Sequence, residues 1–345
     1  MDKIQAALAI RQKYNSEDRP LIVTFISETV SEPSLDYEDF IELYKNLPKE
    51  LPETVSVNKV GTFKITPQEK TCRLAAKVVI ITGSAQGFGA GIAQELLSEG
   101  CNLVYSDLNY DLALENALAA NQEHGEDSAI AIACDITDET QVENLIKETV
   151  LTFGGLDLFI ANAAVLISGP LTDFDLAKFE LVTKVNYTAF FICAKQSAII
   201  MKQQYELSPS IMSDIIQINS KSGLEGSNKN FAYAGSKFGG IGLTQSFAKE
   251  LIEYGIKVNA ICPGNFYEGP LWSNPETGLF VQYLKAGKVP NAKTIEDVKE
   301  FYLDKVPMKR GCYPADVAKA ILYCVEQKYE TGQAIAVTGG QNMLK

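Results

Sequence analysis

The sequence predicts an α/β fold: a doubly wound parallel sheet of about seven strands, with a small α/β segment appended at its N-terminus. Three observations predict it. From Lys77 onward, short apolar β-branched runs alternate with long helical patterns, and apolar strands separated by helices form a parallel sheet covered on both faces. A glycine-bearing turn from Gly83 to Gly89 joins the first of those strands to the first helix, where such a sheet receives its ligand. The first 74 residues do not follow the repeat.

The strands read as Val78 to Thr82, Asn102 to Ser106, Ala129 to Ala133, Leu158 to Ala161, Ile215 to Asn219, Ile256 to Cys262 and Ala334 to Val337. Helical patterns follow the glycine turn to Ser98, then cover Leu108 to Ala120, 138–153, 175–205 and 231–253. The N-terminal segment reads as a helix at 2–14, a strand from Leu21 to Phe25, a helix around 36–46, a proline-bearing link at 48–52 and a strand near 60–65. It carries no catalytic constellation, and we expect a structural or oligomerisation role, packed on the main domain (75–345) or on a neighbouring subunit.

Composition removes several function classes. The 345-residue chain is 46% hydrophobic and 21% charged, ample for a large core. Its net charge of −12 repels a phosphate backbone, so nucleic acid is not expected as a partner. No apolar run approaches a membrane span, and the first residues do not read as a secretory signal. Seven dispersed cysteines without a C-x-x-C pair suggest free thiols in a reducing cytoplasm. The single histidine, His124, reads as a solvated turn residue, which removes a Ser-His-Asp triad. No spacing fits a metal site.

The turn Thr82-Gly83-Ser84-Ala85-Gln86-Gly87-Phe88-Gly89 lets backbone approach a pyrophosphate at the helix N-terminus. Alone, it is also a plain glycine turn. Asp107 ends the second strand; a carboxylate there accepts from ribose hydroxyls and repels a 2′-phosphate, which favours NAD over NADP, the alternative being a turn residue. Asp135 either caps the next helix or contacts adenine. Asn162, after the fourth strand, stabilises the sheet near the cofactor.

Ser220, Tyr233 and Lys237 form the chemical constellation. Tyr233 and Lys237 are four apart, on one helix face. A phenol near pKa 10 is a poor proton carrier at neutral pH, and an adjacent ammonium lowers it. A serine hydroxyl can bond the oxygen that changes charge. That is equipment for interconverting an alcohol and a carbonyl.

Taken together, TGSAQGFG, Asp107, CDIT, ANAA, Asn186, Ser220, Tyr233, Lys237, the CPG turn at 262–264 and TGQAIAVTGG at 331–340 resemble a short-chain dehydrogenase/reductase over about residues 75–345. The resemblance implies a Rossmann-type sheet and hydride transfer to or from nicotinamide. It implies a cofactor site at Thr82, Gly83, Gln86, Gly87, Phe88, Gly89, Asp107, Leu108, Asp135, Ile136, Asn162, Ala163, Tyr233, Lys237, Pro263 and Gly264. Tyr233 would be the acid–base, Ser220 would hold the substrate oxygen, and Lys237 would bond the nicotinamide ribose. Asn186 would hold a water linking Lys237 to solvent, or is simply a buried helix polar group. Departures from the family pattern are Ala164 for a glycine, Thr338 for an aspartate, and Asn265-Phe266-Tyr267-Glu268 without a threonine.

Within the family, IIQINSKSG, AICPGN and VPMKRG are similar to polyol-phosphate dehydrogenases, implying a sugar-alcohol phosphate. A lid at about 265–305, with Phe266, Tyr267, Trp272, Phe280 and Tyr283, would cover it. Lys221 is the first phosphate-binding candidate, followed by Lys229, Lys309 and Arg310; each also reads as a solvated cation, and Arg310 as structural. Other polyols or ketones, and a non-catalytic nucleotide-binding scaffold, are the competing readings. A homo-oligomer, dimer or tetramer, is expected through the helices at 175–205 and 231–253.

Overall fold

The computed structural model describes residues 1–16, 20–31, 33–68, 72–75 and 77–343. The N-terminal unit runs α1 (Lys3–Tyr14), β1 (Leu21–Ser27), β2 (Ser34–Leu35), α2 (Phe40–Asn46), β3 (Thr54–Val57) and β4 (Gly61–Pro67). There follow β5 (Val78–Thr82), α3 (Gly87–Ser98), β6 (Asn102–Asp107), α4 (Tyr110–His124), β7 (Ala129–Ala133), α5 (Glu139–Phe153) and β8 (Leu158–Ala161). The chain continues through α6 (Leu176–Thr183), α7 (Ala189–Leu207), β9 (Ser213–Ile218), α8 (Phe231–Leu251) and β10 (Ile256–Pro263). It ends with α9 (Pro270–Ser273), α10 (Leu279–Lys285), α11 (Ile295–Asp304), α12 (Pro314–Glu326) and β11 (Ala334–Val337).

The strands β5 to β11 form one sheet in the order β11-β10-β9-β8-β5-β6-β7, with every neighbouring pair parallel. This is the predicted doubly wound sheet. β5, β9 and β10 are buried along their whole length, as strands of a parallel sheet covered on both faces are; β5 reads as an apolar run, while β9 and β10 also bury Asp214, Gln217, Lys257 and Asn259. The strand order turns back between β5 and β8, opening a crevice at their carboxyl ends.

Several boundaries differ from the sequence reading. His124 is the last residue of α4, not a turn residue. The long helix at 175–205 is broken by a π-turn over Lys184–Thr188. The sequence reading does not assign β2, β3 or the helices α9 to α12, although Tyr313-Pro314 with Asp316 forms a capping box that marks the start of α12.

The N-terminal unit is a second sheet, β1-β4-β3-β2. Its helix α1 packs on α5 and α7 of the main unit, burying Ala6 to Arg11. Residues of both units share one hydrophobic cluster. Of the two placements expected, the segment therefore takes the one on its own main domain. At the junction Arg11 Nη2 meets Asp157 Oδ2 at 2.6 Å, both buried. Asp157 Oδ2 also accepts from Val78 N–H at 2.7 Å. Burial by itself would raise the Asp157 carboxyl; Arg11, Lys77 and the Val78 bond outweigh it and hold the group below its ordinary value.

Removing Arg11 leaves a buried carboxylate without its main cation. Arg11→Ala is expected to cost on the order of 3–5 kcal/mol in chemical denaturation. In the wild type the Asp157 contribution is present above the unfolded pKa of about 3.9 and is lost as pH falls through the depressed folded value. In the variant burial is opposed only by Lys77 and the Val78 bond, so the folded pKa rises and protonation relieves the buried charge. The stability gap between the two proteins is therefore expected to narrow on acidification toward about pH 4.

Candidate active site

The crevice is assembled from the ends of β5, β6, β8 and β9. Gly83 and Gly87 have φ of +63° and +64°, the left-handed region open to glycine at no steric cost. A Cβ on Gly89 would stand 2.2 Å from Gly83 O and 2.6 Å from Asn162 Nδ2, so only glycine permits this approach of helix to strand. Gln86 opens α3 without a side-chain cap, which leaves the first amides of the helix free to face an anion. Asn162 Nδ2 donates to Thr82 O and Gly83 O at 2.9 Å each, and Thr82 Oγ1 accepts from the Asn162 and Ala163 amides. Neither Ala163 nor Ala164 has a positive φ, so alanine replaces glycine there without strain.

Asp107 Oδ2 accepts from Ala85 N–H and Oδ1 from Asn109 N–H, both at 2.9 Å. The carboxylate thus sits against the glycine turn, with Leu108 exposed beside it. This donor and acceptor set fits a dinucleotide: free amides for the pyrophosphate, and a carboxylate with spare lone pairs for ribose hydroxyls. Asp135 does not cap α5; Asp138 does, accepting from Thr140 and Gln141 amides. Asp135 instead closes a turn onto Thr137 N–H and its hydroxyl, because it lies three residues too early to reach the helix start.

Ser220 follows β9, and its Oγ accepts from Ser222 N–H at 3.1 Å. Tyr233 and Lys237 lie on α8. Burial pushes Tyr233 up to about 12, a hydrogen bond to Ser220 acting the other way. Burial lowers Lys237 to about 8. Lys237 Nζ bonds Ile218 O at 2.9 Å and lies 5.6 Å from the Tyr233 ring centroid. The expected lowering of the tyrosine by the lysine is therefore not realised here: desolvation dominates and the amine is tied to the strand. Asn186, at the π-turn, accepts from Val165 N–H and donates to Val165 O and Ser236 Oγ. It borders a cavity of about 10 Å³ shared with Lys237, Ile136 and Ala163.

Pro263 ends β10, and Gly264 N–H bonds Val337 O. Phe88 packs against Phe266 with ring centroids 5.2 Å apart. Of the other lid aromatics, Tyr267, Trp272, Phe280 and Tyr283 are buried against one another with Tyr302. They form the core of the helical cover rather than its ligand-facing surface. This was missed because an aromatic cluster in a loop reads the same whichever way it faces.

The cation candidates separate. Lys309 pairs with Asp304 and Arg310 with both oxygens of Asp316, so each already has a carboxylate partner. Lys221, beside Ser220, is lowered by burial, and Glu225 and Lys305 also act on it. Lys288 is lowered to about 7 by burial and by the like charges of Lys221, Lys305 and Lys229. With the Asn230 amide oriented so that each of its atoms has a complementary partner, Asn230 Oδ1 accepts from Tyr283 Oη at 2.7 Å and Lys288 Nζ at 2.8 Å. Lys229 Nζ bonds Ala286 O at 2.7 Å. Lys288 and Lys305 were missed in the sequence; only the fold brings these lid cations to Lys221.

The short chain dehydrogenase family model matches residues 77–274. The chain is 37% identical over 271 residues to sorbitol-6-phosphate 2-dehydrogenase of Escherichia coli (strain K12), covering 78% of this chain and 99% of that one. It is 32% identical to secoisolariciresinol dehydrogenase of Forsythia intermedia, over 78% of this chain and 90% of the relative. The crystal structure of sorbitol-6-phosphate 2-dehydrogenase from Erwinia amylovora superposes with a TM-score of 0.71 at 38% identity, covering 77% of this chain and all of that one.

Gly89→Ala is expected to weaken NADH at least about tenfold, through the contact with Gly83 O, while Tyr233 and Lys237 stay in place. NADH fluorescence titration checks it.

Proposed function

The chain belongs to the short chain dehydrogenase family and is an oxidoreductase acting on CH–OH groups through a nicotinamide dinucleotide; from that premise we propose that it is an NAD-dependent polyol-phosphate dehydrogenase interconverting sorbitol 6-phosphate and fructose 6-phosphate. The observation that carries the substrate class is the grouping of Lys221, next to Ser220 in the chain, with Lys288, whose charge also feels Lys229 and Lys305, in a chain of net charge −12. Like charges repel, and such a cluster is relieved by a phosphate dianion. Asp107 beside the glycine turn, with no lysine or arginine at 84–86 or 108–110, supports NAD over NADP.

Bound NAD supplies the hydride acceptor in oxidation, and NADH the donor in reduction. Ser220 holds the substrate oxygen by its hydroxyl. In reduction the neutral Tyr233 gives that oxygen a proton; in oxidation its phenolate takes one. Burial favours the neutral phenol, so oxidation needs positive charge on Lys237, four residues along the same helix. The lid, with its own aromatic core, closes as a body and excludes water. The assembled Ser220, Tyr233, Lys237 and Asn186 leave the non-catalytic scaffold without support.

Phe191 and Ile199 on α7, with Phe238 on α8, remain exposed and support association through that face. All seven cysteines are free, consistent with a cytoplasmic setting.

NADH formation with NAD and sorbitol 6-phosphate tests the activity, with free sorbitol as comparator and Tyr233→Phe as control. Turnover on the phosphate, lost in the variant, is expected. Turnover on neither alcohol, with NADH still bound, would sink the substrate reading. Lys221→Gln and Lys288→Gln are each expected to raise KM for the phosphate ester about tenfold, leaving free sorbitol unmoved. Because a dianion raises the Lys288 pKa from about 7, binding takes up a proton. KM for the phosphate ester is then expected to climb as pH rises above about 7, and to lose that slope in Lys288→Gln.

A further inference from the structure

Helix α8 begins at Asn230, which is 4% exposed. An asparagine in this place ordinarily turns its side-chain oxygen onto the amide of the second or third helical residue, here Ala232 or Tyr233. Asn230 makes no such cap, although its carbonyl accepts from Ala234 N–H at 2.8 Å in the usual way. Its side chain serves the lid instead. Oδ1 accepts from Tyr283 Oη at 2.7 Å and Lys288 Nζ at 2.8 Å, while Nδ2 donates to Ser168 Oγ at 2.8 Å and Lys229 O at 3.0 Å. Both donors and both lone pairs of the amide are therefore used, none of them on its own helix.

The preceding residue is equally constrained. Lys229 has a φ of +59°, where a lysine rarely sits. Such a conformation persists only where neighbours over-determine it. Two segments do so: Gly169 N–H bonds Lys229 O at 2.8 Å, and Lys229 Nζ bonds Ala286 O at 2.7 Å. The lid, the loop after β8 and the start of α8 thus meet at residues 229 and 230, three residues before Tyr233. Lys288 Nζ also lies 4.0 Å from the Tyr283 ring centroid. An ammonium has three donors, enough to hold Asn230 and a phosphate oxygen together.

We propose that Asn230 is a positioning residue that makes turnover depend on the substrate phosphate: a phosphate held by Lys221 and Lys288 fixes the lid on the Asn230 amide, and that amide fixes the first turn of α8, with Tyr233, against the substrate oxygen. The inference rests on the reading of these lysines as the phosphate site. It deepens that reading, because interactions remote from the reacting carbon then align the acid–base as well as hold the substrate. A free polyol of the same skeleton lacks the handle, so it loses kcat and not affinity alone.

Asn230→Ala tests this, and it removes no side-chain cap from α8 because none is made. The ratio of kcat for sorbitol 6-phosphate to kcat for free sorbitol is expected to fall about tenfold, with KM for the phosphate ester held within about threefold. An equal loss on both substrates, which a merely structural role would give, overturns the proposal, and so does an unchanged ratio. If that variant does not fold, Tyr283→Phe keeps the ring and removes one donor to Asn230; the same ratio is expected to fall about threefold, and an unchanged ratio overturns the proposal. Amide hydrogen exchange of the NADH complex, with and without inorganic phosphate, reads the coupling without turnover. In the wild type phosphate is expected to protect 279–304 and 234–237 together, and in Asn230→Ala only 279–304. Protection of 234–237 that is equal in both proteins, or absent in a wild type whose lid is protected, overturns the coupling. Protection nowhere in the wild type overturns the phosphate reading, and the proposal with it. Joint protection in a protein that turns over neither alcohol supports the coupling and sinks only the choice of sorbitol 6-phosphate.

Discussion

Asp157 is the residue on which the rest of the fold depends. Its carboxylate binds Arg11 and the Val78 amide. Its own amide donates to Val78 O, and its carbonyl accepts from Asp214 N–H. One residue therefore sets the relative heights of β5, β8 and β9 at their amino ends and holds α1 against them. In parallel strands the register chosen at one end is carried unchanged to the other. At that other end stand Gly83, Asn162 and Ser220. A second buried ion pair, Lys257 with Asp214 at 3.1 Å, continues the same row to β10. There Lys257 also bonds the last carbonyls of α12, satisfying a helix end that would otherwise be buried without partners.

The opposite edge is organised by amides rather than charges. Asn162, Asn186 and Asn219 each tie their own segment to the backbone of another, at Thr82 and Gly83, Val165 and Lys237 respectively. Carboxamides suit this role because they donate and accept at once and remain neutral. They leave the local field to Lys237 and to the lysines of the cover.

The doubly wound sheet was legible in the sequence because buried parallel strands are short, apolar and β-branched, and because Thr82 to Gly89 and Ser220, Tyr233 and Lys237 are local patterns. What lies between residues far apart was not. Nothing local distinguishes Asp135 from Asp138 as the cap of α5. The partners that hold Tyr233 high and Lys237 low are the bulk of the core, which no spacing encodes. Lys288 and Lys305 become part of the site only when α10 and α11 fold over Lys221.

The bond between Arg11 and Asp157 joins residues 146 positions apart, and this bears on how the chain reaches its native state. The N-terminal sheet and helix are synthesised before the elements of the main unit on which α1 packs. Those elements, α5 and α7, are both complete only at Leu207. Contacts of such separation form late and slowly, and domains otherwise tend to complete themselves from the N-terminus onward. Here α1 is secured only once α7 exists, so nascent α1 is where a chaperone would be needed most.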